Sequence, residues 1–169
     1  MVLIYYSYII KYSYSQFTFL NDATDKIKDR KIIRMENMGD EKKDIDGGFT
    51  LSQLSSVLDK VYKLNIKIYY VNKVNDKEVE KFRNLLKKIL VDQDKFIIAN
   101  FVGKNVDLKS GGHISPLVAY DQISDSVLIL DVAGHLNSWS WVPLEDLYKS
   151  MNTKDGEKYR GYLIIYSEK

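Results

Sequence analysis

The chain has 169 residues, 45% hydrophobic and 28% charged, with 25 basic against 23 acidic side chains and a net charge of +2. That length suits one domain around one sizeable core, residues 1–169, and the composition excludes a disordered chain and a membrane-embedded bundle. Balanced charge offers no basic stripe for nucleic acid, and zero cysteines remove disulfides, zinc-thiolate sites, iron–sulfur clusters and any thiol nucleophile from these residues.

The opening run MVLIYYSYIIKYSYSQF is apolar but lacks a basic n-region and a small-residue cleavage site, so it does not read as a signal peptide. Its apolar core of about ten residues is also short of the roughly 20 that span a bilayer. It is assigned to the fold, with no membrane partner, and the cytoplasm is the default compartment. Residues 1–12 suit either a strand or a buried helix, because the run is too short for periodicity to decide. Ile27, Ile32, Ile33 and Met35 among charges suit a partly exposed helix over 23–38, and 44-DIDGGF-49 is a turn.

Thr50 is placed to cap a helix whose buried face carries Leu51, Leu54, Val57, Leu58 and Val61, three and four residues apart. A strand follows at 66-IKIYYV-71. Asn75 or Asp76 then caps a second helix with Val79, Phe82, Leu85, Leu86, Ile89 and Leu90 on its inner face. Beyond it the pattern changes: 96-FIIANFV-102, 114-ISPLVAY-120, 127-VLILDV-132 and 161-GYLIIYS-167 are β-branched and aromatic runs bounded by turn residues. One helix, 143-PLEDLYKSM-151, interrupts them, with Pro143 suited to its first turn. Helices first and sequential strands after them predict an α+β fold with a mainly antiparallel sheet.

Histidine occurs twice, at His113 and His135, without HExxH or EF-hand spacing, so no resident metal site is expected. His135 is assigned to a loop, and Trp139 and Trp141 to hairpin packing. The chemically interesting stretch is 110-SGGHISPLVAYDQISDSVLILDVAG-134, read as a β-hairpin with its loop within 121–126. If Asp121 pairs with Asp125, Ser115 lies opposite Asp131 and His113 becomes the diagonal neighbour of Asp131, roughly 7 Å away at Cβ. A loop one residue longer puts the two on opposite faces. A carboxylate bonded to one imidazole nitrogen fixes the tautomer and leaves the other nitrogen as a base. On spacing alone, a satisfied structural pair remains the competing reading. Gly111 and Gly112 either end a loop or let a substrate backbone lie close beside the histidine.

The blocks GGHISPLVAY, LILDVA, WVPLEDLYKSMNT and RGYLII, in this order and with an 18-residue step from His113 to Asp131, resemble the phytochelatin synthases, papain-like cysteine acyltransferases. Weaker similarity runs upstream through FIIANFV and GGFTLSQL. The resemblance implies the papain-like fold, N-terminal helices on a C-terminal mainly antiparallel sheet, and glutathione as substrate partner. His113 corresponds to the general base and acid, and Asp131 to its orienting carboxylate. Asp155 and Arg160 correspond to the pair holding the α-amino and α-carboxylate ends of a γ-glutamyl group, and Gly112, beside the histidine, is the candidate substrate-backbone contact. Heavy-metal ions enter as glutathione thiolate complexes rather than on a built-in site.

Three departures accompany the likeness. The family's nucleophile opens a buried helix in a Cys-Gly pair that would fall just ahead of Met1, which makes residues 1–10 the end of that helix and leaves the chain as written without its thiol. After Ala133, 134-GHLNSWS-140 replaces a basic run, which puts acceptor binding in question. The segment from Asp155 to Arg160 is about two residues short. Ser110 and Ser115 are the candidate substitute hydroxyls, and the family's geometry disfavours both because its nucleophile starts a helix facing the histidine. The competing readings are a non-catalytic glutathione- or protein-binding relative and a peptidase of another papain-like branch.

Overall fold

The computed structural model describes residues 49–131 and 138–167; the readings of 1–12, of the helix over 23–38, of most of the 44–49 turn and of His135 lie outside them. Helix α1, Leu51–Lys60, opens on the expected Thr50 cap, which forms a reciprocal box: the Gln53 N–H donates to Thr50 Oγ1 at 3.3 Å and the Thr50 N–H to Gln53 Oε1 at 2.8 Å. Strand β1, Asn65–Tyr70, leads to helix α2, Asp76–Ile89. Of the two candidate caps it is Asn75 that serves, accepting from the Glu78 N–H at 3.0 Å. Acidic residues in the first turn of α2 and Lys87 and Lys88 in its last suit the helix dipole.

The second half runs β2 (Lys95–Val102), a 3-10 turn (Gly103–Val106), β3 (Gly112–Asp121), β4 (Ser126–Ile129), β5 (Ser140–Pro143), helix α3 (Leu144–Met151), a ribbon of β6 (Lys154–Asp155) and β7 (Lys158–Tyr159), and β8 (Gly161–Tyr166). Six strands form one sheet in the order β1-β8-β2-β3-β4-β5, every neighbour antiparallel. β1 and β2 both pair with β8, so they run parallel to each other with α2 as their crossover and the last strand inserted between them.

Helices cover both faces. Leu163 and Ile165 of β8 pack with Leu51 and Leu58 of α1, while Tyr162 and Ile164 pack with Phe82 and Leu86 of α2 and Leu147 and Met151 of α3. Coverage on both sides explains why GYLIIY reads as a continuous apolar run rather than an alternating one. Gly161 is required where β1 crosses it, because a Cβ there would stand 2.0 Å from the Tyr69 carbonyl oxygen.

The α+β architecture with a mainly antiparallel sheet agrees with expectation, and two details differ. β4 stops at Ile129 instead of 132, and β5 pairs with it as an edge strand that the short, tryptophan-broken segment did not announce. Trp139 and Trp141 are not packed in a hairpin core: they are 67% and 52% exposed, because the inward positions of β5 are taken by Val142.

Candidate active site

The hairpin loop is one residue longer than the pairing that sequence favours. Asp121 pairs with Ser126, not Asp125, leaving four loop residues. An unbroken ladder from that start would place Asp131 opposite Pro116, on the face away from His113. The ladder is broken: Ala119 pairs with Leu128 and Leu117 with Ile129, so Val118 is an extra residue in a β-bulge. The bulge restores the register by one, and the Leu130 N–H donates to the Pro116 carbonyl at 3.0 Å. Ser115 then faces Asp131 and His113 lies on its diagonal. The side chains meet, with His113 Nε2 2.8 Å from Asp131 Oδ1.

Burial makes this bond specific. The Asp131 side chain is 0% exposed and that of His113 11%. With a buried carboxylate as acceptor, Nε2 carries the proton and donates, which leaves Nδ1 as the basic nitrogen. The ring stands edge-on to Phe101, its cross-strand partner, at 5.7 Å between centroids and 84°. Upstream, the 103–111 loop is closed by bonds from the Gly103 N–H to the Gly111 carbonyl (2.8 Å) and from the Lys104 N–H to the Ser110 carbonyl (2.9 Å). Gly103 must be glycine, since a Cβ would lie 1.9 Å from Ser110 Oγ. At Gly111 the space a side chain would fill is open, and Gly112 begins β3 opposite Val102. The hydroxyls of Ser110 and Ser115 are buried, and neither bonds to His113 or to any other partner, so neither is poised as a nucleophile.

Asp155 and Arg160 are brought together by a two-residue hairpin. Asp155 pairs with Lys158 across Gly156 and Glu157, with Gly156 at φ 68°. Arg160 Nη1 lies 3.4 Å from Asp155 Oδ2. Asn100, which the sequence reading passed over, stands between them: Arg160 Nη1 donates to its Oδ1 at 2.9 Å, and its Nδ2 donates to Asp155 Oδ2 at 2.9 Å. All three residues are buried. The available signal was one amide within the apolar run FIIANFV, since a polar side chain in a covered strand requires partners.

The two groups occupy the same end of the sheet on opposite faces. Phe101 pairs with His113, whereas Asn100, one residue before it, pairs with Ile114 and Gly161 and points the other way. Asp155 borders a pocket of about 310 Å³ between the start of α1 and the β6–β7 ribbon, lined also by Thr50, Ser52, Tyr70 and Lys158.

A buried carboxylate–imidazole pair 18 residues apart across a bulged hairpin, with an Asp/Arg pair on the following ribbon, is a specific arrangement, and residues 15–162 match the family described as Phytochelatin synthase. The chain belongs to the phytochelatin synthase family. Among characterised relatives it is similar to glutathione gamma-glutamylcysteinyltransferase 3 of Lotus japonicus, 34% identical over 93 residues, which is 54% of this chain and 19% of that protein. Glutathione gamma-glutamylcysteinyltransferase 1 of Arabidopsis thaliana is 32% identical over 90 residues, 52% of this chain and 18% of the relative. The Schizosaccharomyces pombe enzyme is 29% identical over 94 residues, 54% and 23% of the two chains. The matched region thus spans less than a quarter of the length of these phytochelatin synthase relatives. Within the 169 residues of this family member there is no cysteine.

Proposed function

We propose that this phytochelatin synthase-like chain carries the base half of a thiol-dependent acyl-transfer site for glutathione, with the thiol supplied from outside these 169 residues. The supporting observation is the 2.8 Å bond between His113 Nε2 and the buried Asp131. That bond does nothing for packing that an apolar pair would not do at least as well, and it leaves Nδ1 basic. In the reaction, His113 Nδ1 accepts the thiol proton as the sulfur attacks the cysteinyl carbonyl of γ-glutamylcysteinylglycine. The carbonyl–nitrogen bond to glycine breaks, the proton passes from His113 to the departing amine, and a γ-glutamylcysteinyl thioester remains. A second glutathione amine, or water, then takes the acyl group as His113 receives its proton. Asp131 holds the ring and stabilises the imidazolium. Gly112 lets the substrate backbone run close beside the histidine. Asp155 and Arg160 hold the α-amino and α-carboxylate ends of the γ-glutamyl group, and heavy-metal ions enter bound to substrate thiolates.

Without a thiol the chain as written forms no acyl-enzyme, and loss of the nucleophile costs on the order of 10⁶-fold in comparable sites. A second reading is favoured by the same missing cysteine together with the intact Asn100–Asp155–Arg160 cluster: a chain that binds γ-glutamyl compounds without turning them over. Glycine release from glutathione decides between them. We expect none from the 169 residues alone and release from the chain extended upstream of Met1 by a helix-opening Cys-Gly segment. Peptide cleavage without glycine release by the extended chain would reject the transferase reading in favour of a peptidase.

A further inference from the structure

We infer that Asn100 is a positioning residue for the recognition of the substrate amino group, acting through Asp155. This rests on the reading of Asp155 and Arg160 as the γ-glutamyl grip. Asn100 is 1% exposed and sits in the middle of the sheet end, between β3 and β8. Its amide is used from both sides: Oδ1 accepts from Arg160 Nη1 and Nδ2 donates to Asp155 Oδ2, each at 2.9 Å. Arg160 is itself only 3.4 Å from that same oxygen. An amide can accept from a guanidinium through its oxygen and donate to a carboxylate through its nitrogen at once.

The consequence is a division of labour. Arg160 and Asn100 converge on Oδ2, which fixes the plane of the carboxylate on a ribbon of only two residues per strand. Asp155 and its cross-strand partner Lys158 both line the pocket beside Thr50 and Tyr70. A ligand ammonium entering that pocket meets a carboxylate that is already oriented. Holding the receptor group in its bound geometry beforehand lowers the ordering cost of binding. Leucine at position 100 would keep the volume and remove the Nδ2 donor from Asp155 Oδ2.

The experiment is titration calorimetry of the full chain with glutathione and with its deamino analogue, glutaryl-cysteinyl-glycine, which lacks only the α-amino group. The native chain is expected to prefer glutathione by about tenfold to a hundredfold, the range of one charge-assisted contact. In Asn100→Leu that preference should collapse towards one, while the weak affinity for the deamino analogue stays unchanged. Asn100→Asp keeps the size and the acceptor for Arg160 but loses the N–H that Asp155 accepts. It should show the same collapse, and it carries the test if the leucine variant does not fold. A role for Asn100 in stability alone would weaken both ligands equally or neither, and an undiminished preference in both variants would overturn the proposal while leaving the Asp155/Arg160 reading intact. A native chain that treats the two ligands alike would overturn both, since no amino-group grip would then exist for Asn100 to position.

Discussion

Two aspartates flank β4 and serve different ends. Asp131, beyond its last residue, is fully buried and meets His113 Nε2 at 2.8 Å. Asp125, just before its first, holds elements together. Its backbone is left-handed at φ 48°, and its carboxylate accepts from Arg83 Nε at 2.8 Å, Arg83 Nη2 at 2.7 Å and the Tyr120 hydroxyl at 2.7 Å. The Arg83 bonds hold its carboxyl below the usual carboxylate range. A depressed folded-state pKa contributes stability that is present above the unfolded value and lost as pH falls through the folded one. Asp125→Asn keeps the left-handed turn, which asparagine tolerates, and removes only the charge. Because the Asp125 side chain is 40% exposed, the expected loss near neutrality is about 0.5–1 kcal/mol. Denaturant melts of the two proteins should converge as pH drops below about 4, and a gap that stays constant across that window would show that the pair is not the source of the stability.

At the scale of elements, the site depends on a hairpin with two compensating irregularities. The longer loop moves Asp131 off the face of His113, and the bulge at Val118 moves it back. Removing Val118 takes out the extra residue and leaves a regular ladder in which Leu117 still faces Ile129 and Ser115 still faces Asp131, so the His113–Asp131 bond should survive. Removing Ile114 turns His113 to the other face of β3 and should abolish it. The Nε2–H proton resonance of His113 reports the difference: it should persist in the first variant and vanish in the second. Survival in both would mean that register does not set the pair. The β6–β7 ribbon is a similar device, a two-residue hairpin that brings Asp155 to Arg160.

At the scale of the molecule, three helices and the main strands were legible because their signals are local: Thr50 before an apolar face of period 3.6, and β-branched runs between turn residues. The His113–Asp131 pair was legible only conditionally, since spacing narrows a register without choosing it, and no residue in PLVAYDQISDS announces a bulge at Val118. Asn100 was missed because its significance is non-local, resting on partners 55 and 60 residues away. β5 was missed because a four-residue edge strand is held by its neighbour more than by its own sequence. Among the described residues, the end of one sheet carries the His113–Asp131 pair on one face and a buried Asn–Asp–Arg cluster on the other. Whether His113 serves a thiol as its base is tested by mass spectrometry of the chain extended to include a Cys-Gly helix start, quenched after mixing with glutathione. A γ-glutamylcysteinyl adduct is expected on that cysteine, formed about 10²–10⁴-fold more slowly in His113→Ala. An adduct that forms equally fast without His113, or no adduct in the extended chain with His113 intact, would contradict it.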